Sequence, residues 1–171
     1  MPTPADIALL PDAGPLITLA YANALDALQK PGWSVMLVDM VLHEVTRNAT
    51  PTSDKLSAWA AAAQLPILRT NTFAHYRQAS PQSGKNNLGE LAIQEAMNQF
   101  ALQAPPRVGV FLFEDHRIAR SSFLVPANCR KISTRAYLLF LEQKGWIASA
   151  AEIERRALQA GRTFSTLRIP L

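Results

Sequence analysis

Short, continuously apolar runs recur along the chain and are separated by helical spacing of apolar residues. Ile7 to Leu10 forms the first run and is closed by Pro11 and Asp12, which predicts a strand followed by a turn. The run from Val108 to Phe113 is rich in β-formers, as expected of a strand covered by helices on both faces. Further short strands are predicted at Val35 to Val38, Leu65 to Leu68 and Arg130 to Ile132.

Several helices are predicted between these strands. Apolar residues from Leu16 to Leu28 have helical spacing, and Pro31 ends this helix because proline cannot continue it. Asp39 and Asp54 are placed to cap the next two helices, since a carboxylate can accept a free first-turn amide. Further helices are predicted from Gly89 to about Leu102, from His116, and from Thr134 to Lys144.

The alternation of strands and helices predicts the fold class. The polar stretch from Asn71 to Asn87 interrupts the pattern and is predicted to be a loop. Elsewhere the alternation favours a parallel sheet between helices. We therefore expect one domain over residues 1–171 with an α/β fold, a three-layer α/β/α sandwich with a mainly parallel central sheet. In such folds, sites gather beyond the carboxyl ends of the strands.

Composition and charge narrow the class of protein. With 49% hydrophobic and 18% charged residues, the chain can form a hydrophobic core. Neither a signal-peptide pattern nor a long apolar span is present, and Cys129 is a single cysteine, so we expect a cytoplasmic protein without membrane contact. Between residues 101 and 171, eleven Lys or Arg face five acids. This excess of positive charge suits a polyanion, although a solvated surface explains it equally well.

Four carboxylates are candidates for a shared site. Asp12 and Asp115 each follow a predicted strand, so both belong to the crevice at the carboxyl edge of the sheet. Either one taken singly is also explained as a helix cap or turn residue. Glu44 lies on the flank of its helix, where an exposed glutamate is the simple alternative. Glu90 shares a helical face with apolar residues three and seven positions later, and a favourable interaction with the helix N-terminus is its alternative explanation.

Four acids in one crevice would repel one another unless a cation neutralised them. Carboxylate oxygens suit Mg²⁺ or Mn²⁺, and such an ion can activate water for attack on a phosphodiester. Zinc is not indicated, because the three histidines lack ligand spacing and there is one cysteine. Glycine-rich phosphate loops and the GxSxG pattern are also absent from the sequence.

Four segments together resemble the motifs of the PIN-domain nucleases, in particular the toxin-like branch of prokaryotic toxin–antitoxin systems. LPDAGPLI (10–17) resembles the opening motif, and VDMVLHEV (38–45) the strand that leads into a glutamate-bearing helix. LGELAI (88–93) resembles the third motif, and FEDHRIAR (113–120) the fourth. The tail from Ser133 to Leu171 resembles the closing helices, so the likeness extends over nearly the whole chain. Asp39 departs from the family pattern, which often has proline there.

The resemblance implies a metal-dependent endoribonuclease that forms a homodimer and is often blocked by a small antitoxin. It implies that the catalytic and metal-binding residues are Asp12, Glu44, Glu90 and Asp115. Glu114 would be an accessory acid, and Thr134 would offer a hydroxyl near the site. Arg117 and Arg120 are candidate phosphate contacts, which a solvated helix face explains equally well.

Two other functions stay open at this point. One is a catalytically inactive PIN-like module that binds RNA or has a regulatory role. The other is a different metal-dependent phosphohydrolase, which would act on small phosphate esters. The acid set favours the ribonuclease.

Overall fold

The computed structural model describes residues 3–79, 87–114 and 125–163. Within these ranges the strands are β1 (Ile7–Pro11), β2 (Ser34–Val35), β3 (Leu37–Val38), β4 (Ile67–Leu68), β5 (Val108–Phe113) and β6 (Cys129–Ser133). Four of them form a parallel sheet in the order β2-β1-β5-β6, and β3 pairs with β4, also in parallel. The prediction of a mainly parallel central sheet is confirmed.

The helices of the described ranges are α1 (Ala13–Tyr21), α2 (Asp39–Thr46), α3 (Pro51–Ala62), α4 (Asn71–Gln78), α5 (Leu88–Ala101), α6 (Thr134–Gln143) and α7 (Ala150–Gln159). They flank the sheet, so the expected α/β class is confirmed. None of the described helices is both long and apolar enough to cross a membrane.

The strands β1 and β5 lie at the centre of the sheet and end level with each other. Their register runs from Ile7 opposite Val108 to Pro11 opposite Leu112. The backbone N–H of Asp12 then donates to the Leu112 carbonyl at 2.9 Å. The two apolar runs of the sequence are therefore adjacent strands, and the residues that follow them emerge at the same edge.

Close packing on β5 requires a glycine. A Cβ at Gly109 would lie 3.0 Å from the Cys129 sulfur and 3.2 Å from the ring of Phe100 in α5. In β1, the consecutive residues Ala8, Leu9 and Leu10, whose side chains alternate between the two faces of the sheet, are all buried. The buried Tyr137 hydroxyl of α6 donates to the Ala27 carbonyl at 2.7 Å. The central strands are thus covered from both sides, as their continuous hydrophobicity predicted.

Two sequence predictions placed element boundaries wrongly. The helix expected to continue to Leu28 ends at Tyr21, because Asn23 adopts a positive φ of 50°. Asparagine tolerates this conformation, and a 3₁₀ turn follows from Leu25 to Gln29. The strand expected from Val35 to Val38 is two strands, because the backbone exchanges β1 for β4 as its hydrogen-bond partner after Met36.

Two further local predictions were wrong. Thr50, rather than Asp54, caps α3, and its hydroxyl accepts from the Ser53 amide at 3.1 Å. The first half of the loop predicted from Asn71 is the helix α4, which periodicity missed because that helix has little apolar surface. The helix predicted from His116 lies outside the described residues.

Candidate functional site

The parallel topology brings the predicted site segments to the carboxyl edge of the sheet. Asp12 directly follows β1, and Glu114 directly follows β5. Thr134 is the first residue after β6. The helix α2, which follows β3, carries Glu44, and α5 opens with Gly89 and Glu90. The described candidates therefore come from four strand ends and one helix N-terminus at a single edge.

Asp12 combines a structural role with a position in the crevice. Its carboxylate accepts from the Ala13 amide at 2.8 Å and so caps α1. The same side chain is half-buried and lies near enough to Glu44 for its charge to raise the pKa of that residue. The alternative explanation as a helix cap is thus correct, and it coexists with proximity to a second acid.

Glu44 is held against the first turn of α5. Its carboxylate lies so close to Gly89 that a Cβ there would be 2.9 Å from one oxygen and 3.2 Å from the other. Burial raises the pKa of Glu44, and the charge of Asp12 raises it further. A hydrogen bond from the Gly89 backbone and the charge of Arg47 act in the opposite direction. The fold therefore holds two like charges together in a partly desolvated place.

The remaining members of the predicted set are placed as follows. Glu90 is half-buried and adjoins Gly89, so its backbone lies one residue from the Glu44 contact. Asp115, Arg117 and Arg120 lie outside the described residues. Within the part of the chain that the structure describes, no three His, Cys, Asp or Glu side chains form a group that could hold a metal ion. The site assignment stays a prediction, with Asp12 and Glu44 as the pair brought together.

Glu114 has a different environment. The Thr18 hydroxyl of α1 approaches its two carboxylate oxygens at 2.7 and 2.9 Å, and an Arg162 nitrogen lies 3.9 Å from one of them. Arg162 also donates to the Thr18 hydroxyl at 3.0 Å. The Thr134 hydroxyl donates weakly to the Phe113 carbonyl at 3.4 Å, beside Glu114 in the chain. These contacts fix the residue that immediately precedes Asp115.

Burial raises the pKa of Glu114, whereas the Thr18 hydrogen bond and the charge of Arg162 lower it. The charged groups that act on it are Arg162 and Glu154, while Glu44 responds to Asp12 and Arg47. Among the described candidates, the charge of Asp12 acts on Glu44, and these two residues are called the acid pair below; Glu114 has hydroxyl and guanidinium partners.

Three contributors were not predicted as functional residues. Gly89 belongs to the third motif, but only the tertiary structure shows that its missing side chain leaves room for the Glu44 carboxylate. Thr18 lies one helical turn after Gly14, whose missing side chain leaves room for Glu114: a Cβ there would meet the Glu114 Cβ at 3.0 Å. Arg162 is 144 positions from Thr18, and no local pattern connects them.

The acid pair suits a hard divalent cation. Two partly buried carboxylates whose charges oppose each other are stabilised by a cation between them, and oxygen donors are those that Mg²⁺ and Mn²⁺ prefer. Burial first and the charge of Asp12 second raise the pKa of Glu44, and a bound cation would favour the ionised form against both. The donor chemistry of the described residues therefore fits a metal, with Glu90 adjoining.

Comparison with known proteins supports the fold. No family model matches the chain, and no curated protein matches it. Among solved structures, the chain is similar to the RRP44 PIN domain of T. brucei, with a TM-score of 0.54 and 17% identity over 83% of each chain. At this identity the likeness shows a PIN-like fold and nothing finer. The predicted fold is confirmed, and the toxin-like branch stays a prediction.

Proposed function

We propose that this protein is a metal-dependent endoribonuclease that hydrolyses RNA phosphodiester bonds. The observation that carries the proposal is the position of Asp12 directly after β1 and of Glu44 against the first turn of α5 in a PIN-like fold, where burial and the charge of Asp12 raise the pKa of Glu44. Each of these acids also accepts a backbone amide, Asp12 from Ala13 and Glu44 from Gly89, and the charge of Asp12 still acts on the partly buried Glu44. Such a pair suits a divalent ion and a phosphate ester.

In this proposal, Asp12, Glu44, Glu90 and Asp115 hold Mg²⁺ or Mn²⁺. When bound, the ion supplies an activated water and stabilises charge on the phosphate oxygens. The protein's own contribution is orientation: the Ala13 amide holds one oxygen of Asp12, and the first turn of α5 confines Glu44. Glu114 and Thr134 support the segment that precedes Asp115, and Arg117 and Arg120 are proposed phosphate contacts.

The test is a Mn²⁺ titration of RNA cleavage by purified protein without partners. Wild type is expected to cleave, and Asp12→Asn is expected to lose at least about 100-fold in rate, because removal of one ligand charge weakens metal binding and displaces the water. Asp26→Asn is the matched control, since Asp26 is an exposed acid in the 3₁₀ turn. The products should lack a cyclic phosphate, because water rather than the 2′-hydroxyl is the nucleophile.

The outcomes separate the proposal from its two alternatives. Protein that binds Mn²⁺ and RNA but never cuts would be an inactive PIN-like RNA-binding or regulatory module. Turnover of small phosphate esters without RNA cleavage would identify a different metal-dependent phosphohydrolase. Equal cleavage by wild type and Asp12→Asn would remove the acid pair from the mechanism.

The finer proposal is that the protein is the cytoplasmic toxin of a toxin–antitoxin pair, acts as a homodimer and is inhibited by a small antitoxin. It is supported by the four motifs and their order along the chain. Induced expression of wild type should arrest bacterial growth, and Asp12→Asn should not. Light scattering of the purified protein should give the mass of two chains, and a monomer would contradict the dimer.

A further inference from the structure

The helix α4 has no fully buried residue and is held both by carboxylates and by Phe73 and Tyr76, which pack against the core. All eight of its residues are exposed or half-buried. At its N-terminus, the amide and hydroxyl of Thr70 each donate to Asp39 at 2.8 Å. The Asn71 amide donates to Glu95 at 2.7 Å, and the amide and hydroxyl of Thr72 do so at 3.0 Å. Five charge-assisted hydrogen bonds thus fix a polar helix between α2 and α5.

This attachment places α4 beside α2, the helix that carries Glu44. Because β3 and β4 are parallel, α2 and α4 leave the same edge side by side, with Asp39 next to Thr70. One turn farther along, the rings of Phe73 and Tyr76 each lie 5.4 Å from the His43 ring. His43 directly precedes Glu44 in α2. The aromatic cluster therefore includes the residue that precedes Glu44 in α2.

The cluster has the features of a stacking surface. The rings of Phe73 and Tyr76 are stacked, with centroids 6.2 Å apart and planes 19° apart, and both are half-buried. The Arg77 guanidinium lies 5.7 Å from the Phe73 ring centroid. Aromatic rings with an arginine between or beside them bind unstacked bases with little regard to sequence.

Charge favours the same ligand. The helix α4 (NTFAHYRQ) contains Arg77 and His75 but no acid. Arg69, just before the helix, and Arg47, just after α2, are both exposed. An RNA that reaches the acid pair must bring phosphates near two negative charges, so cations at the margin are needed to hold its backbone.

We propose that His43, Phe73 and Tyr76 form an aromatic platform that stacks a base of single-stranded RNA next to the cleaved bond, with Arg77 holding an adjacent phosphate. The inference rests on the proposed function for the identity of the ligand, and it adds how the substrate is held. Rigid attachment of α4 through Asp39 and Glu95 sets the distance between the stacked base and the acid pair.

The competing explanation is that the three rings only pack against each other and the core. RNA binding measured in EDTA separates the two explanations, because such binding needs neither metal nor cleavage. The probes are a fluorescein-labelled single-stranded RNA octamer and the same octamer with abasic interior positions. Stacking predicts that wild type binds the base-bearing octamer about tenfold more tightly than the abasic one. Packing alone predicts equal affinities.

Variants test which rings carry the preference for the base-bearing octamer. Phe73→Leu and Tyr76→Leu keep apolar volume while removing the ring, and each should abolish most of the preference for bases. The matched control is Phe140→Leu. Phe140 stacks on Trp33 at 5.9 Å with Lys144 over its ring, but Phe140 and Lys144 lie at the C-terminal end of α6 and Trp33 precedes β2, away from the carboxyl edge. Circular dichroism and melting curves check that each variant is folded.

A second measurement on wild type covers the case in which a variant does not fold. RNA containing 5-iodouracil, irradiated with the protein, should cross-link to peptides that contain Phe73 or Tyr76. The proposal is overturned if wild type binds both octamers equally or binds neither, or if cross-links avoid α2 and α4. Base-dependent binding without cleavage would overturn only the hydrolase, and cleavage without base-dependent binding would overturn only the platform.

Discussion

Replacement of Gly89 by alanine should separate activity from stability. Gly89 lies in the first turn of α5 and faces the Glu44 carboxylate, where a Cβ would be 2.9 Å from one oxygen and 3.3 Å from the carboxyl carbon. Ordinary contact between these atoms begins at about 3.4 Å, so the carboxylate must retreat by roughly 0.5 Å. The atoms that must move are the end of a flexible side chain.

The expected magnitudes follow from this geometry. Alanine is favoured over glycine by up to about 1 kcal/mol within a helix, so the free energy of unfolding should stay within about 1 kcal/mol of wild type. A displacement of about 1 Å in a catalytic group can lower the rate about 100-fold, and roughly half of that displacement should lower it about tenfold. The affinity for Mn²⁺ should fall in parallel.

Urea denaturation, Mn²⁺ titration calorimetry and RNA cleavage measure these three quantities on one preparation. Gln99→Ala, on an exposed position of the same helix, is the control for a change of helix propensity alone. If Gly89→Ala cleaved RNA and bound Mn²⁺ like wild type, the Glu44 carboxylate would not belong to the site. A loss of stability above about 2 kcal/mol would show that Glu44 cannot move aside.

Three further predictions concern single side chains. Folding raises the pKa of Glu44 above 4.5, so the ionised carboxylate opposes folding at neutral pH. Glu44→Gln should therefore raise the unfolding free energy of the metal-free protein at pH 7. This gain should vanish as the pH falls below 4.5, and an unfolding free energy lower than that of wild type at pH 7 would contradict the prediction. Thr70→Val removes the α4 cap and a donor to Asp39 and should cost about 2 kcal/mol in urea denaturation, whereas Thr70→Ser should lose less than about 1 kcal/mol. Tyr137→Phe leaves the Ala27 carbonyl without its buried donor and should cost about 1 to 2 kcal/mol, so an unchanged urea midpoint would refute that role.

The central strands and the helix α5 were predictable because their signal is local. Ile7 to Leu10 and Val108 to Phe113 are continuously apolar, and the structure has strands there with buried side chains. The helix predicted from Gly89 to about Leu102 is found at Leu88–Ala101, where apolar residues recur at helical spacing. In each case one segment supplies both the pattern and the surface that is buried.

The helix α4 was missed because its stability comes from elsewhere in the chain. Its own residues offer little apolar surface, and the groups that fix its N-terminus belong to Asp39 and Glu95. A carboxylate more than twenty positions away leaves no mark in a local pattern. The cap of α3 is a different case, because Thr50 is a near neighbour of Asp54 and its hydroxyl accepts from the Ser53 amide.

The amino-acid order was sufficient to give the alternation of strands and helices and to place Asp12 directly after a strand, because apolar runs and turn residues act over a few positions. It could not establish which acids face one another. The Glu44 carboxylate lies against the first turn of α5 because Gly89 leaves room there, and Glu114 accepts from Thr18 and lies near Arg162 because those side chains offer it donors. Such partners are chosen by packing between distant segments, and packing exists only once the chain has folded.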